Sequence, residues 1–530
     1  MPPERLRKVI RKDNEGLDGD CHEQRVYQCR KPSGRLAVTR VTVDPGRTIG
    51  QVSRNIFGGF IEHLGRCIYG GIYEEGSRLS DERGFRADTL ALLKDLQVSV
   101  LRWPGGNFVS NYHWQDGVGP KDARPARSDL AWGGVEPNRF GTDEFMAYCS
   151  ALGAQPYICL NMGSGSLEEA LAWVEYCNSS RATYWAEQRR RHGRDEAYGV
   201  TWWGLGNEMW GEWQVGSMSA SEYVREASRW AKAIKLLDPG AKLVSCGWNG
   251  WDDWDREVID GMAGLVDLHS LHIYTGSDDY WTNVLQVHQA ERAIACSTAL
   301  IRRAAYVQKL DRWPRIAYDE WNVWFRTSDG TLEERYSMAD ALAVATYLNI
   351  FVRNCSWVQM ANLAQLVNAI APVVTTPEAA LVQPIYYALL MHSQTVLDLA
   401  VDVHVDSPTV AAPDPPPVGR WAHRLGDLGP FDVVDASATI DRARRKLSVT
   451  VVNRSYDSPE AVEVILRDMA FADAAQVRVL TAGASTGPSA VPDVRPVHIE
   501  ESSEAAIGSK LPILMPPQSF AVVEVSMTKS

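Results

Sequence analysis

The sequence predicts an α/β chain: a (β/α)8 TIM-type barrel with a C-terminal β-sandwich, jelly-roll-like, that also takes in an N-terminal strand. Three observations carry that reading. Between Asn55 and Asn362, short apolar runs of strand length recur eight times, most of them separated by stretches of helical period. Polar residues stand near the ends of many of those runs: Glu62, Asn107, Asn207, Glu208, His272, Tyr274, Glu320 and Gln365. A packed barrel strand carries so many only if they converge on one site, and in such barrels that site is the C-terminal mouth. From about Leu397 the pattern changes to short alternating strands parted by polar turns.

At 530 residues the chain exceeds one ordinary core, so two domains are expected, one of them large. Hydrophobic residues at 45% and charged residues at 23% fit a water-soluble globular protein. The formal charge of −12 excludes the basic face that a nucleic-acid or anionic-membrane partner requires. Nineteen tryptophans are many; core packing accounts for most, and aromatic-lined sugar sites for others. Nine scattered cysteines form no CxxC pair and no disulfide framework, which points to reduced thiols in a cytoplasmic protein. The first residues lack the apolar core of a secretory signal. The longest apolar stretch, Ala339 to Val352, contains Asp340 and Asn349 and reads as a buried barrel helix rather than a membrane span.

In chain order, residues 1–35 mix both charges with few large apolar side chains, the composition of a flexible arm. Residues 36–52 hold a Val/Thr-rich strand, Leu36 to Val43, placed to pair into the distant sandwich. Residues 53–395 form the barrel and 396–530 the sandwich. The first barrel strand is read at Asn55–His63, and Asp88 is placed to cap the helix that follows. The second strand, from Val98, runs into Pro104-Gly105-Gly106, whose glycines leave Asn107 facing a ligand. Helix 142–152, strand 155–161 and helix 167–175 lead to the fourth strand and Glu208. Helix 220–237 stops at Asp238-Pro239-Gly240; strands 242–246 and 266–274 follow, then one long helix over 281–310. The seventh strand ends at Glu320 and the eighth spans 356–362. In the sandwich, strands are expected at 401–405, 446–452, 461–466, 476–480 and 519–525, with a stiff Pro-rich loop at 413–417. That domain lacks an aromatic cluster, so a structural platform suits it better than a sugar-binding surface.

The chemistry centres on Val200–Gly211 and Arg315–Trp324, two β-like runs that each reach a glutamate flanked by tryptophans. An acid seated among indoles loses hydration, which raises its pKa and keeps it protonated for proton donation. Two carboxyl groups on different strands of one barrel share its mouth, and a facing pair is the minimal equipment for glycoside hydrolysis. No HExxH occurs, and His63, His269 and His272 show no chain spacing that demands a metal. The Gly-rich pieces lack the Lys-Ser/Thr of a phosphate loop, and no cofactor is expected.

Several motifs together resemble the α-L-arabinofuranosidases of glycoside hydrolase family 51. They are Phe60–Arg66 with Tyr69–Tyr73, Pro104–Phe108 with Trp114–Pro120, Gly204–Glu208, Asp319–Trp324 and Ala364–Asn368, in that order. The resemblance covers residues 36–530 and implies a retaining mechanism with Glu208 as general acid/base and Glu320 as nucleophile. It implies that Arg102 and Tyr274 support the nucleophile, and that Glu62, Asn107, Asn207 and Gln365 bind arabinose hydroxyls. His272 then lies near the acid/base, while Trp324 and Trp132 wall the pocket, with plain core packing an equal reading for Trp132. It further implies an arabinofuranosyl oligo- or polysaccharide as substrate and a homo-oligomer, with a hexamer as the expected form. Trp103, Ile273 and the Gly163-Ser164-Gly165 loop depart from the family pattern, the last two where the leaving group would sit. Rival readings are a β-xylosidase or endo-β-glucanase with the same two carboxyls, and a silent sugar-binding barrel.

Overall fold

The computed structural model describes residues 38–325, 332–411, 425–482 and 496–529. The expected arm at 1–35 and the Pro-rich loop at 413–417 lie outside the described residues.

Eight parallel strands close into a barrel: Gly58–Phe60, Val100–Trp103, Gln155–Leu160, Trp202–Leu205, Lys242–Ser245, Leu268–Thr275, Arg315–Val323 and Val358–Ala364. Their near-continuous apolar runs suit strands covered on both faces. Val100, Tyr157, Trp202, Val244, Leu268, Ala317 and Met360, one from each of seven strands, pack against one another as the barrel floor. The interior is therefore filled below the mouth. Near the other end of the strands, Phe60, Tyr274, Ala364 and Ile370 form a separate small cluster with Trp324 against it.

Helices Thr142–Leu152 and Ala220–Leu237 fall where the sequence places them. The first ends at Gly153 with φ 83°, a left-handed cap that glycine adopts without strain. Ser219 and Glu222 close a reciprocal capping box on the second.

Other expectations need correction. The first barrel strand is only Gly58–Phe60, because Arg54–Phe57 is a 3-10 turn. A Cβ on Gly58 would come within 2.6 Å of Val100 and 2.8 Å of the Ala361 carbonyl, so this short strand is squeezed between its neighbours. Asp88 does not cap its helix; Arg86 holds that position and Asp88 pairs with its guanidinium at 2.7 Å. The long helix expected over 281–310 is broken into Tyr280–Leu285, a 3-10 turn at Gln286–His288 and Gln289–Gln308. His288, at the break, faces Arg454 of the C-terminal domain at 2.7 Å, a distant contact that local periodicity does not carry. The seventh strand continues past Glu320 to Val323. Helices Tyr184–Arg191, Asp253–Met262 and Pro384–Thr395 were not anticipated.

Among the described residues, the C-terminal domain has one hydrogen-bonded sheet of ten strands, with Thr39–Gln51 third from one end, and a separate short pair, Thr409–Val410 with Phe431–Asp432. That N-terminal strand runs antiparallel to Leu399–Asp406 and parallel to Glu460–Leu466, so the domain is discontinuous in sequence, as expected. Val477, near one end of the sheet, and Ile513, at the other, share a core with Val41 and Val449, so the sheet folds over on itself. Strands 434–440, 498–504 and 510–515 add to those read from sequence. Helix Met338–Arg353, buried almost throughout, joins the two domains. From it Asn349 donates to Asp435 at 2.8 Å and Arg353 pairs with Asp435 at 2.9 Å.

Candidate active site

Five barrel strands deliver the acids and cations of the site. Ser270, His272 and Tyr274 alternate along one strand and so share a face. Asp319 and Glu320 are consecutive, yet both make contacts with that same group of residues. The strand pairing makes this possible: register slips on both sides of residues 318–320, as at a bulge, so the usual alternation is interrupted. Glu208 follows the strand Trp202–Leu205 with φ 44°, a left-handed backbone unusual for a residue with a side chain.

Arg102 donates from Nη1 to Glu320 Oε1 at 2.7 Å and from Nη2 to Asn207 Oδ1 at 2.6 Å. Tyr274 donates its hydroxyl to Glu320 Oε2 at 2.8 Å. Both oxygens of Glu320 thus accept a hydrogen bond from a fixed donor. His272 Nδ1 lies 2.9 Å from Glu208 Oε1 and 3.6 Å from Glu320 Oε2. Ligand-capable atoms of Glu208, His272 and Glu320 all fall within 4.8 Å of one another. Chain spacing does not reveal that cluster, which a cation could bridge; Arg102 already supplies positive charge beside it.

Asp319 was missed as a site residue, although it stands next to Glu320 in the same buried run. It accepts hydrogen bonds from Ser270 and, at 2.8 Å, from Tyr157; it also faces Arg102 Nε at 3.7 Å and His272 Nε2 at 3.3 Å. One buried carboxylate therefore orients both the guanidinium that meets Glu320 and the imidazole that meets Glu208. The available signal was a pair of consecutive acids inside an apolar strand, where two buried carboxylates need partners.

The remaining expected residues gather around this centre. Glu62 Oε1 accepts from the Phe108 N–H at 2.9 Å and the Trp132 indole at 3.0 Å, and its Oε2 accepts from Gln365 Nε2 at 3.0 Å. A Cβ on Gly106 would stand 3.2 Å from Glu320 Oε1 and 3.3 Å from Glu62 Oε2, so a glycine lets the loop approach both carboxyls. Asn107 accepts from Trp213 Nε1 at 3.2 Å and from Gln214. Trp324 packs edge-on against Tyr274, ring centroids 5.3 Å apart. The Nδ2 of Asn207 and the indole nitrogen of Trp324 are buried and have no partner among the described residues. The expectation that Trp202 and Trp203 surround Glu208 is corrected: Trp202 fills the floor and Trp203 packs in the larger outer core. Trp210 stacks on Trp248 at 4.3 Å and Trp213 meets it edge-on.

Electrostatics divides these groups. Burial, with the Glu320 charge adding, pushes the Glu208 carboxyl above its ordinary range despite the His272 contact. Burial lifts Glu62 to about 8. For His272, burial acts downward, but Glu320, Asp319 and Glu208 outweigh it and raise the imidazole to about 10. Burial acts upward on Asp319, but Arg102 and His272 hold it well below the usual carboxylate range. Near neutral pH the buried centre sets the Asp319 carboxylate against two cations, Arg102 and His272, with Glu62 protonated and Glu208 raised toward its protonated form.

A closed parallel barrel with two facing carboxyl groups at its mouth is the layout of a barrel glycoside hydrolase. The family model "Alpha-L-arabinofuranosidase 1 domain" matches residues 92–292, and "Alpha-L-arabinofuranosidase C-terminal domain" matches 319–519. The chain is 45% identical to the "Probable alpha-L-arabinofuranosidase C" of Aspergillus clavatus, across 79% of this chain and 85% of that one. It is 36% identical to the "Intracellular exo-alpha-(1->5)-L-arabinofuranosidase" of Streptomyces lividans, across 81% and 66%. The crystal structure of a Thermotoga maritima α-L-arabinofuranosidase in complex with arabinose superposes with a TM-score of 0.81 at 40% identity, covering 92% of this chain and all of that one. A GH51 enzyme from Thermotoga petrophila gives 0.82 at 40%, again covering 92% of this chain and all of that one. The chain belongs to the α-L-arabinofuranosidases of glycoside hydrolase family 51.

Proposed function

We propose that this chain is an exo-acting, retaining α-L-arabinofuranosidase. It removes terminal non-reducing α-L-arabinofuranosyl residues from arabinan, arabinoxylan or oligosaccharides derived from them. The observation that carries the reading is the approach of Glu208 and Glu320 to within 4.8 Å, next to the ~5–5.5 Å carboxyl spacing of retaining glycosidases.

Glu320, ionised between Arg102 and Tyr274, attacks the anomeric carbon. Glu208 passes its proton to the departing glycosidic oxygen as that bond breaks. Forming the glycosyl ester removes the Glu320 charge, so Glu208, now a carboxylate, takes a proton from water. As it does so, the water oxygen attacks the anomeric carbon and the ester bond to Glu320 breaks, releasing arabinose with its configuration retained and leaving Glu208 protonated and Glu320 free again. His272 holds Glu208 in place. Glu62, Asn107, Asn207 and Gln365 hold the sugar hydroxyls, with Asn207 Nδ2 and Trp324 Nε1 as donors lacking a partner among the described residues. Trp132 and Trp324 offer apolar faces to the furanose.

Among the described residues no helix is long and apolar enough to cross a membrane. Together with the name of the Streptomyces relative, the dispersed cysteines support an intracellular, cytoplasmic enzyme, and the family resemblance supports a homo-oligomer, a hexamer in the first instance.

Nitrophenyl α-L-arabinofuranoside and nitrophenyl β-D-xylopyranoside, assayed side by side, test the substrate. The arabinofuranoside is the better substrate on this reading, and preference for the xyloside overturns it. Glu320→Ala loses turnover and regains it with azide, which occupies the space of the missing carboxylate; activity unchanged by the substitution removes the nucleophile assignment.

A further inference from the structure

The consecutive residues Glu62 and His63 reach two points of the same surface hairpin. Its two short strands pair Arg127 with Glu136 and Ser128 with Val135. Trp132 lies in its turn, with Asp129 Oδ1 accepting from the Ala131 and Trp132 amides at 2.8 and 3.1 Å. At the tip, Trp132 donates its indole N–H to Glu62. At the base, Glu136 is buried against His63, whose Nδ1 lies 2.7 Å from Glu136 Oε2.

The tautomer of His63 follows from its other partner. Trp103 Nε1 can only donate, and it meets His63 Nε2 at 3.1 Å, so Nε2 is the acceptor and Nδ1 carries the hydrogen given to Glu136. Glu136 also accepts from the Tyr69 hydroxyl and from the Asn138 amide at 2.7 Å. Burial acts to raise this carboxyl, but His63, Tyr69 and the amide outweigh it and hold it below its ordinary value.

Beyond these ties, Ala131 is buried and Trp132 packs partly buried against the large core. Leu130 and Val135 are exposed, and a shallow cleft opens between the hairpin and the segment below it, lined by Phe108, Tyr112, Asp116, Arg127, Asp129 and Glu136 among others. Arg127 pairs with Asp116 at 2.7 Å, but the arginine is exposed, and exposed ion pairs contribute little. The buried carboxylate at the base is the strong attachment.

We propose that Glu136 is a positioning residue for sugar binding. By locking the hairpin base to His63 it sets Trp132 over Glu62, and without it the tip leaves the pocket wall. This rests on the reading of Trp132 as part of that wall. It assigns Glu136 no contact with substrate, so its loss acts on binding rather than on the chemical steps.

The test is a double-mutant cycle of Glu136→Ala and Trp132→Ala, with kcat and KM for nitrophenyl α-L-arabinofuranoside and a melting curve for each variant. Glu136→Ala is expected to raise KM roughly tenfold with kcat unchanged. Trp132→Ala raises KM at least as much, and the double variant is no worse than Trp132→Ala alone, since one residue acts through the other. Glu136→Gln, which keeps an acceptor oxygen, falls between wild type and Glu136→Ala and replaces it in the cycle if the alanine variant does not fold. A KM unmoved by either Glu136 substitution, or effects that add fully in the double variant, overturns the proposal while leaving Trp132 in the wall. A KM unmoved by Trp132→Ala removes Trp132 from the wall and the proposal with it.

Discussion

The floor and the mouth of the barrel are made by the same strands and obey opposite rules. Leu268 and Ala317 lie in the apolar floor; further along the same two strands, His272 and Glu320 lie among charges. The floor is held by burial and close packing, which a change of volume disturbs wherever it occurs. The mouth buries the Asp319 carboxylate, two cations and two raised carboxyls beside Glu320, each needing its own partner, an arrangement that contributes little net stability. Its value is orientation: Arg102, Tyr274 and His272 are fixed before substrate arrives. Substitutions should therefore separate cleanly, with turnover lost at the mouth and stability lost at the floor.

The largest effect is expected at Glu320. Removing the proposed nucleophile by Glu320→Ala should lower kcat by roughly 10⁴-fold or more while the melting temperature stays near wild type. A modest loss of rate with a large loss of stability would place Glu320 with the floor. Glu208→Gln comes next, with roughly 10²–10⁴-fold lost in kcat toward substrates whose leaving group needs a proton. Because Glu208 is raised above its ordinary value and acts protonated, wild-type activity should fall as pH climbs through that raised value. In Glu208→Gln that alkaline limb should disappear; its persistence would assign it to another group.

Asp319→Asn sharpens the comparison, since Asp319 contacts the same charges without touching the sugar in this account. With Arg102 and His272 less firmly oriented, kcat should drop by roughly 10–100-fold with KM little changed. Met360→Ala probes the floor alone and should cost about 2–5 kcal/mol in a denaturant titration, with kcat of the folded enzyme unaltered. The smallest effect concerns Glu62. Its folded-state pKa of about 8 lies above its ordinary value of 4.5, so the folded state favours the protonated form. Stability should thus be lost as pH rises from about 4.5 through about 8. Glu62→Gln should show a smaller fall in melting temperature between those limits than wild type.

How much of this was legible in the sequence follows from the range of the interactions concerned. Strand runs such as Gln155–Leu160 and helices such as Ala220–Leu237 are local patterns of apolar spacing and caps, and their positions agree with the structure. The pairing of Thr39–Gln51 with a sheet hundreds of residues away was readable as an orphan strand before the barrel. At the break at Gln286–His288, His288 meets the distant Arg454, and Asp88 pairs with Arg86 rather than capping its helix; neither contact leaves a periodic trace. At the site, single polar residues at strand ends were visible. Asp319 was hidden because strand alternation turns one of two adjacent acids outward, and only the register slip beside Ala317 brings both in. Glu136 was hidden because a glutamate in a Gly-rich hairpin looks solvated until His63 is placed beside it.

One measurement tests the central claim most directly. A slow fluorinated α-L-arabinofuranoside should trap the glycosyl-enzyme, and mass spectrometry of the digested protein should find the sugar on the peptide carrying Glu320 and on that residue. A sugar found on Glu208, on Glu62 or on no residue of a turnover-competent enzyme would contradict the two-glutamate account.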